Sequence, residues 1–109
     1  MDCIDNEKKV RISILLDFYG DLLTEKQYLA VSLHYNEDYS LFEISEQTGT
    51  TRQGVFESIK KGIDNLEYFE LKLMLYEKSL LRDSLLDDIL KLTGDEAVKK
   101  ILDEIRAVN

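Results

Sequence analysis

Residues 40–62, SLFEISEQTGTTRQGVFESIKKG, constrain the fold of this chain more than any other stretch. Ser40 and Glu43 stand three apart as a capping box, in which a hydroxyl and a carboxylate each satisfy a helix-start amide. Leu41, Phe42 and Ile44 give the helix that follows an apolar face. Gly49 falls where the chain must turn sharply, a position that favours a residue able to adopt positive φ. Thr50 or Thr51 caps the next helix. That helix carries Val55 and Ile59 four apart for a core and leaves Arg52, Gln53, Lys60 and Lys61 to face outward. Two short capped helices joined by a Gly-containing turn are the sequence form of a helix-turn-helix.

The rest of the chain reads as helical too. Among 109 residues there is no proline and only five glycines, so little interrupts a helix. Apolar residues make up 44%, enough for a core, and the length suits one domain. A first helix is expected over Asn6–Tyr19, with Val10, Ile14, Leu15 and Phe18 on its inner face and Gly20 ending it. Thr24 and Gln27 form a second capping box, opening a helix whose apolar stripe is Tyr28, Leu29 and Leu33. The polar tract at residues 36–38 breaks that helix.

After Gly62 the pattern stays helical to about Leu81. Ile59, Leu66, Leu73 and Leu80 recur every seventh residue, with Phe69 and Tyr76 between them, a spacing that suits a seam along a partner helix. Leu71, Met74 and Leu75 lie off the seam, so this helix is expected to be covered on several sides, partly by Leu85, Leu86, Ile89 and Leu90. Thr93 and Glu96 then cap a last amphipathic helix bearing Ala97, Val98, Ile101, Leu102 and Ile105. The expected fold is all-α: a trihelical helix-turn-helix core at residues 24–62, without a wing, and a long helical extension at residues 63–109. A seam that one chain leaves uncovered implies an isologous homodimer.

Two blocks carry a resemblance to a known family. LLTEKQ at residues 22–27 and LHYNEDYSLFEISEQTGTTRQGVFESIKK at residues 33–61 resemble the YlxM family of bacterial helix-turn-helix proteins. LEYFELKLMLYEK at residues 66–78 follows the same pattern, so the resemblance spans roughly residues 12–80. More distantly, the chain is similar to the promoter-reading fourth region of sigma factors. The resemblance implies DNA binding, a regulatory role, or an accessory role beside the signal recognition particle. Gly54 departs from the family pattern, which more often has Ala there. Glycine inside a helix costs roughly 0.5–1 kcal/mol against Ala, so the start of this helix is softer.

In a DNA reading, Arg52 and Gln53 fall in the first turn of the recognition helix, where bidentate pairing with guanine and adenine is possible. Lys60 and Lys61 follow two turns later, suited to phosphate, and Thr51 offers its hydroxyl to a phosphate. Glu57 can accept from a cytosine, although a solvated surface role is the better explanation. Phe56 can touch a thymine methyl, although an aromatic beside Val55 more often belongs to the core. The bland alternative is a solvated face that happens to hold three bases.

Charge weighs against a simple DNA reader. The net charge is −8. Residues 1–39 hold eight acids and four bases, and residues 63–109 hold eleven acids and seven bases. Residues 40–62 balance three against three, so the motif is the least acidic part of an acidic body. Such a body favours the competing expectation, an acidic adaptor docked on a basic protein or ribonucleoprotein of the targeting machinery.

Nothing points to catalysis. His34 has no second His or Cys at ligand spacing, and no phosphate-binding glycine loop or nucleophile motif occurs. Asp83, Asp87 and Asp88 lack the glycine turn and alternating ligands of a calcium loop, so solvated charge explains them. No metal or cofactor is implied. Cys3, the single cysteine, excludes an internal disulfide and reads as an incidental thiol. The acidic start and the lack of a long apolar run suit a cytoplasmic protein without membrane insertion.

Overall fold

The computed structural model describes residues 6–108, so the expectation for Cys3 lies outside the described residues. Among the described residues six helices occur and no strand: α1 Asn6–Tyr19, α2 Glu25–Tyr35, α3 Leu41–Thr48, α4 Arg52–Leu73, α5 Leu75–Leu92 and α6 Glu96–Ala107. The chain divides into two compact units after Met74. The division falls twelve residues beyond the Gly62–Ile63 boundary read from the sequence, because α4 continues through it as one helix.

In the first unit α4 is the central element and packs on α1, α2 and α3. Its inward positions are Val55, Ser58, Ile59, Gly62, Leu66 and Glu70, at the three- and four-residue steps of one helix face. At Gly62 α2 approaches the α4 backbone closely. A Cβ built there would lie 2.7 Å from Val31 Cγ2 and 3.5 Å from Gln27 Cβ. That approach turns Ala30, Val31 and Tyr35 inward and leaves Tyr28 and Leu29 each 43% exposed, correcting the expected stripe. On α1 the buried set is Ile12, Leu15, Leu16 and Tyr19. Of the expected face only Leu15 is buried, and Val10 is 58% exposed.

Two polar ties fix α1 against α4. Arg11 donates in a bidentate pair to Glu67, at 2.9 Å from Nε and 2.6 Å from Nη2. Tyr19 donates its buried hydroxyl to Glu70 Oε1 at 2.6 Å, with its ring 6.0 Å from that of Phe69. Both Thr24–Gln27 and Ser40–Glu43 form complete capping boxes. Between them Asp38 takes φ 60° in the turn that reverses the chain after α2. His34 Nδ1 lies 2.8 Å from the Tyr39 carbonyl oxygen; a carbonyl only accepts, so this nitrogen carries the proton and the histidine ties down that turn.

The helix expected to run to Leu81 stops at Leu73, and Met74 adopts left-handed φ 57°. Ile59 and Leu66 are buried against the chain's own helices, while Leu73 and Leu80 are 45% and 54% exposed. Phe69 and Tyr76 are half-buried. The six seam residues therefore do not line one continuous helix. Leu71, Met74 and Leu75 are exposed rather than covered.

The second unit is an αα-hairpin. Asp95, not Thr93, caps α6, accepting from the Ala97 amide at 2.8 Å, while Thr93 Oγ1 accepts from the Asp95 amide at 3.1 Å. Asp95 sits one residue before the helix, at the cap position itself, whereas Thr93 stands three residues before it. Leu86 of α5 and Leu102 of α6 are buried; Leu85 and Ile89 are exposed. Asp87 pairs with Arg106, which raises the guanidinium above its ordinary value, chiefly through that hydrogen bond.

Candidate nucleic-acid interface

The motif at residues 40–62 folds as its caps dictate. Ser40 Oγ accepts from the Glu43 amide at 3.1 Å, and Glu43 Oε1 accepts from the Ser40 amide at 3.0 Å. These bonds hold the Glu43 carboxyl below its ordinary value of 4.5, the backbone amide of Ser40 being the larger cause. Gly49 ends α3 at φ 69°, in the left-handed region. The Thr50 amide closes the turn on the Ser45 carbonyl at 3.2 Å, and the Thr48 and Thr50 hydroxyls pair at 2.9 Å. Of the two candidate caps Thr51 is the one used, accepting from the Gly54 amide at 3.0 Å. With its lone pair so engaged, the Thr51 hydroxyl hydrogen remains a donor.

The exposed face of α4 carries Arg52, Gln53, Phe56, Glu57, Lys60 and Lys61. At about 100° per residue, Gln53, Glu57, Lys60 and Asp64 fall on one stripe, with Arg52 and Phe56 on one shoulder and Lys61 on the other. Arg52 and Lys61 thus stand about 180° apart, and the sequence candidates spread over the exposed half of one helix. The structure also adds Asp64 to their stripe, an acid that a reading confined to the motif passes over. Gln53 Nε2 reaches Glu57 Oε1 at 3.5 Å, a long contact that competes only weakly with another partner.

Phe56 is 50% exposed, against the expectation that it belongs to the core. The core positions Val55, Ile59 and Gly62 turn it outward. Phe42 of α3 is 51% exposed, and the Arg52 guanidinium sits 5.3 Å from its ring centroid. Arg52 is thereby placed by a cation–π contact across the motif's turn, which pre-orders its long side chain. Sequence reasoning gave Phe42 to the apolar face; only its position opposite Arg52 in space marks it as part of this surface.

On the opposite side of α4, a groove of about 570 Å³ opens between the start of α2 and the end of α3. Leu29, Ala30, Ile44 and Val55 form its apolar lining, with Thr24, Thr48 and Thr50 at polar positions.

The family model described as "Putative helix-turn-helix protein, YlxM / p13 like" matches residues 6–105. A UPF0122 protein of Streptococcus agalactiae is 43% identical over 91 residues, covering 84% of this chain and 83% of its own. Another, of Streptococcus thermophilus, is 41% identical over 91 residues with the same coverage. One from Streptococcus pyogenes is 39% identical over 90 residues, covering 83% of this chain and 80% of its own. With its matched region reaching from α1 into α6, the chain belongs to the UPF0122 family of YlxM/p13-like helix-turn-helix proteins.

Proposed function

We propose that this chain is a DNA-binding regulatory protein that lays the amino-terminal turns of α4 in the major groove. The observation that carries this reading is the exposed, Thr51-capped start of α4 directly after the Gly49 turn, with Arg52, Lys60 and Lys61 all exposed along it. Arg52 and Gln53 read base edges, Lys60 and Lys61 meet phosphate, and the Thr51 hydroxyl donates to phosphate. Glu57 lies between them and disfavours phosphate at its own position, so it serves either as a cytosine acceptor or as a partner that orients Gln53.

Three cations give a salt slope of only about −0.9 × 3, so one chain alone belongs in the non-specific range of about 10⁻⁴–10⁻⁶ M. Useful affinity requires two chains reading half-sites about 34 Å apart. The test is selection from random DNA at two salt concentrations, followed by anisotropy titration of the parent and of the Arg52→Ala/Lys60→Ala/Lys61→Ala variant. Enrichment of a sequence that the triple variant no longer binds supports the reading. Failure of the parent to enrich any sequence at low salt removes it.

A second reading is favoured by the net charge of −8 and by Phe42 and Phe56, which lie half-exposed around Arg52. Aromatic residues with arginine at their centre are the composition of protein-binding hot spots. In this reading the chain is an acidic adaptor for a basic surface of the targeting machinery, the role the family resemblance implies. Binding to signal-recognition-particle components that survives the triple substitution, with no DNA binding by the parent, supports the adaptor.

A further inference from the structure

Helices α5 and α6 form a hairpin that cannot close a core by itself. Leu86 and Leu102 are its buried apolar side chains among the described residues. Beside each lies an uncovered apolar stripe. On α5, Leu81, Leu85, Ile89 and Leu92 are 62%, 55%, 42% and 87% exposed; on α6, Ile101 and Ile105 are 56% and 38% exposed.

Helix geometry places the two stripes together. At about 100° per residue, the uncovered stripe precedes the covered one in the sense of rotation on both helices. Because helices joined by the short connection at residues 93–95 run in opposite directions, stripes with the same sense face the same side of the hairpin. Asp87 and Arg106 follow the covered stripe on their helices, so the same reasoning sends both to the opposite side. The structure pairs them there.

One continuous apolar face therefore covers one side of the hairpin, and its size and charge identify its occupant. Its six side chains expose on the order of 600 Å², so a symmetric pair that covers them completely buries about 1,200 Å², the lower end of the range for specific, stable interfaces. Residues 75–108 hold eight acids and six bases, a net −2 that leaves about −6 on the rest of the chain. Two such near-neutral units can approach with little repulsion, whereas a strongly basic partner fits the acidic remainder of the chain better.

We propose that this face binds a second copy of the same chain, two hairpins closing about a two-fold axis as a four-helix bundle. The interface differs from the Ile59–Leu80 seam expected from the sequence, whose first members lie in the trihelical core. It supplies the second copy that the DNA reading calls for, and it is decided by mass alone.

The test is light scattering on the full chain over a wide concentration range. The parent is expected at twice the mass of one chain, and Leu85→Glu and Ile105→Glu at half the parent mass with unchanged circular dichroism. Phe56→Glu, on the first unit, keeps the parent mass. Because a charged variant can also lose its hairpin fold, cross-linking supplies a second readout. In a Cys3→Ser background, a flexible bis-maleimide joins two copies of the Ile89→Cys variant and joins far less of the Asp103→Cys variant, whose exposed position lies on the other side of the hairpin. A parent that stays monomeric throughout overturns the proposal, as does a Leu85→Glu variant that remains dimeric. A dimer that ignores DNA removes the DNA reading and leaves this one standing.

Discussion

Four helices in the first unit meet at Ile12, Leu15, Val31, Ile44, Val55 and Leu66, each no more than 2% exposed. The hairpin of α5 and α6 has comparable apolar content but leaves Leu81, Leu85, Leu92 and Ile101 more than half exposed. The difference is one of neighbours rather than of composition. A helix buries as many faces as it has partners. In the first unit α4 has three, while each hairpin helix has one within its own unit. The first unit thus carries its own stability, and the hairpin depends on what covers it.

The contrast is broken most directly by truncating one buried leucine in each unit. Leu66→Ala is expected to cost about 3 kcal/mol, since Leu66 is fully enclosed and its removal leaves a cavity in the core. Leu86→Ala is expected to lower hydrogen-exchange protection within α5 and α6 while leaving that of α1–α4 unchanged. Equal loss of protection throughout the chain would mean that the two units unfold as one.

A smaller effect is expected at the close approach of α2 and α4. Gly62→Ala should destabilise by about 1–2 kcal/mol, because overpacking against Val31 outweighs the gain in helix propensity. Denaturant melts of the double variant with Val31→Ala provide the check. If removing the Val31 methyls restores none of the loss, the contact is not its cause. The hairpin's glycine has no equivalent constraint, since a Cβ on Gly94 meets nothing within 4 Å.

Thr51→Ala should cost about 1 kcal/mol through loss of the α4 cap, with Thr51→Ser close to the parent. Its diagnostic feature is location: amide exchange should rise in the first turn of α4 and not at Leu66.

The smallest expected effect is in acid. Glu43 is lowered from 4.5 by its bonds to Ser40, so the folded state holds its proton less tightly than the unfolded chain. Its contribution is therefore complete above pH 4.5 and is lost as pH falls through the lower folded value. Comparing the parent with Glu43→Gln, the stability difference should shrink below pH 4.5 and be constant above it. The α5–α6 unit provides the control, because neither side chain of this capping box lies within it.

Much of the first unit is legible from residue order. Thr24 with Gln27, Ser40 with Glu43, Gly49 and Thr51 act within three or four residues of themselves, so their roles do not depend on the rest of the molecule. The buried faces are less legible. In α1 the sets Val10–Ile14–Phe18 and Ile12–Leu15–Leu16–Tyr19 are both good helical stripes. The second is buried because α1 must meet α2 and α4 together, with the Tyr19 hydroxyl on Glu70, 51 positions away. Phe42 is illegible as a surface residue for the same reason, since its contact with Arg52 crosses a turn.

The sequence alone determined where the first-unit helices begin and turn, and that Arg52, Gln53, Lys60 and Lys61 share the start of one helix. Capping bonds, positive-φ glycine and helical periodicity are local, and local rules suffice for them. The tertiary structure decided which stripe of each helix is buried, that Ile59 and Leu66 serve this chain's own core, and that the seam breaks at Met74. Those outcomes depend on which helices approach and how closely. A seven-residue repeat records only that a face is apolar; what covers it is set by neighbours distant in sequence.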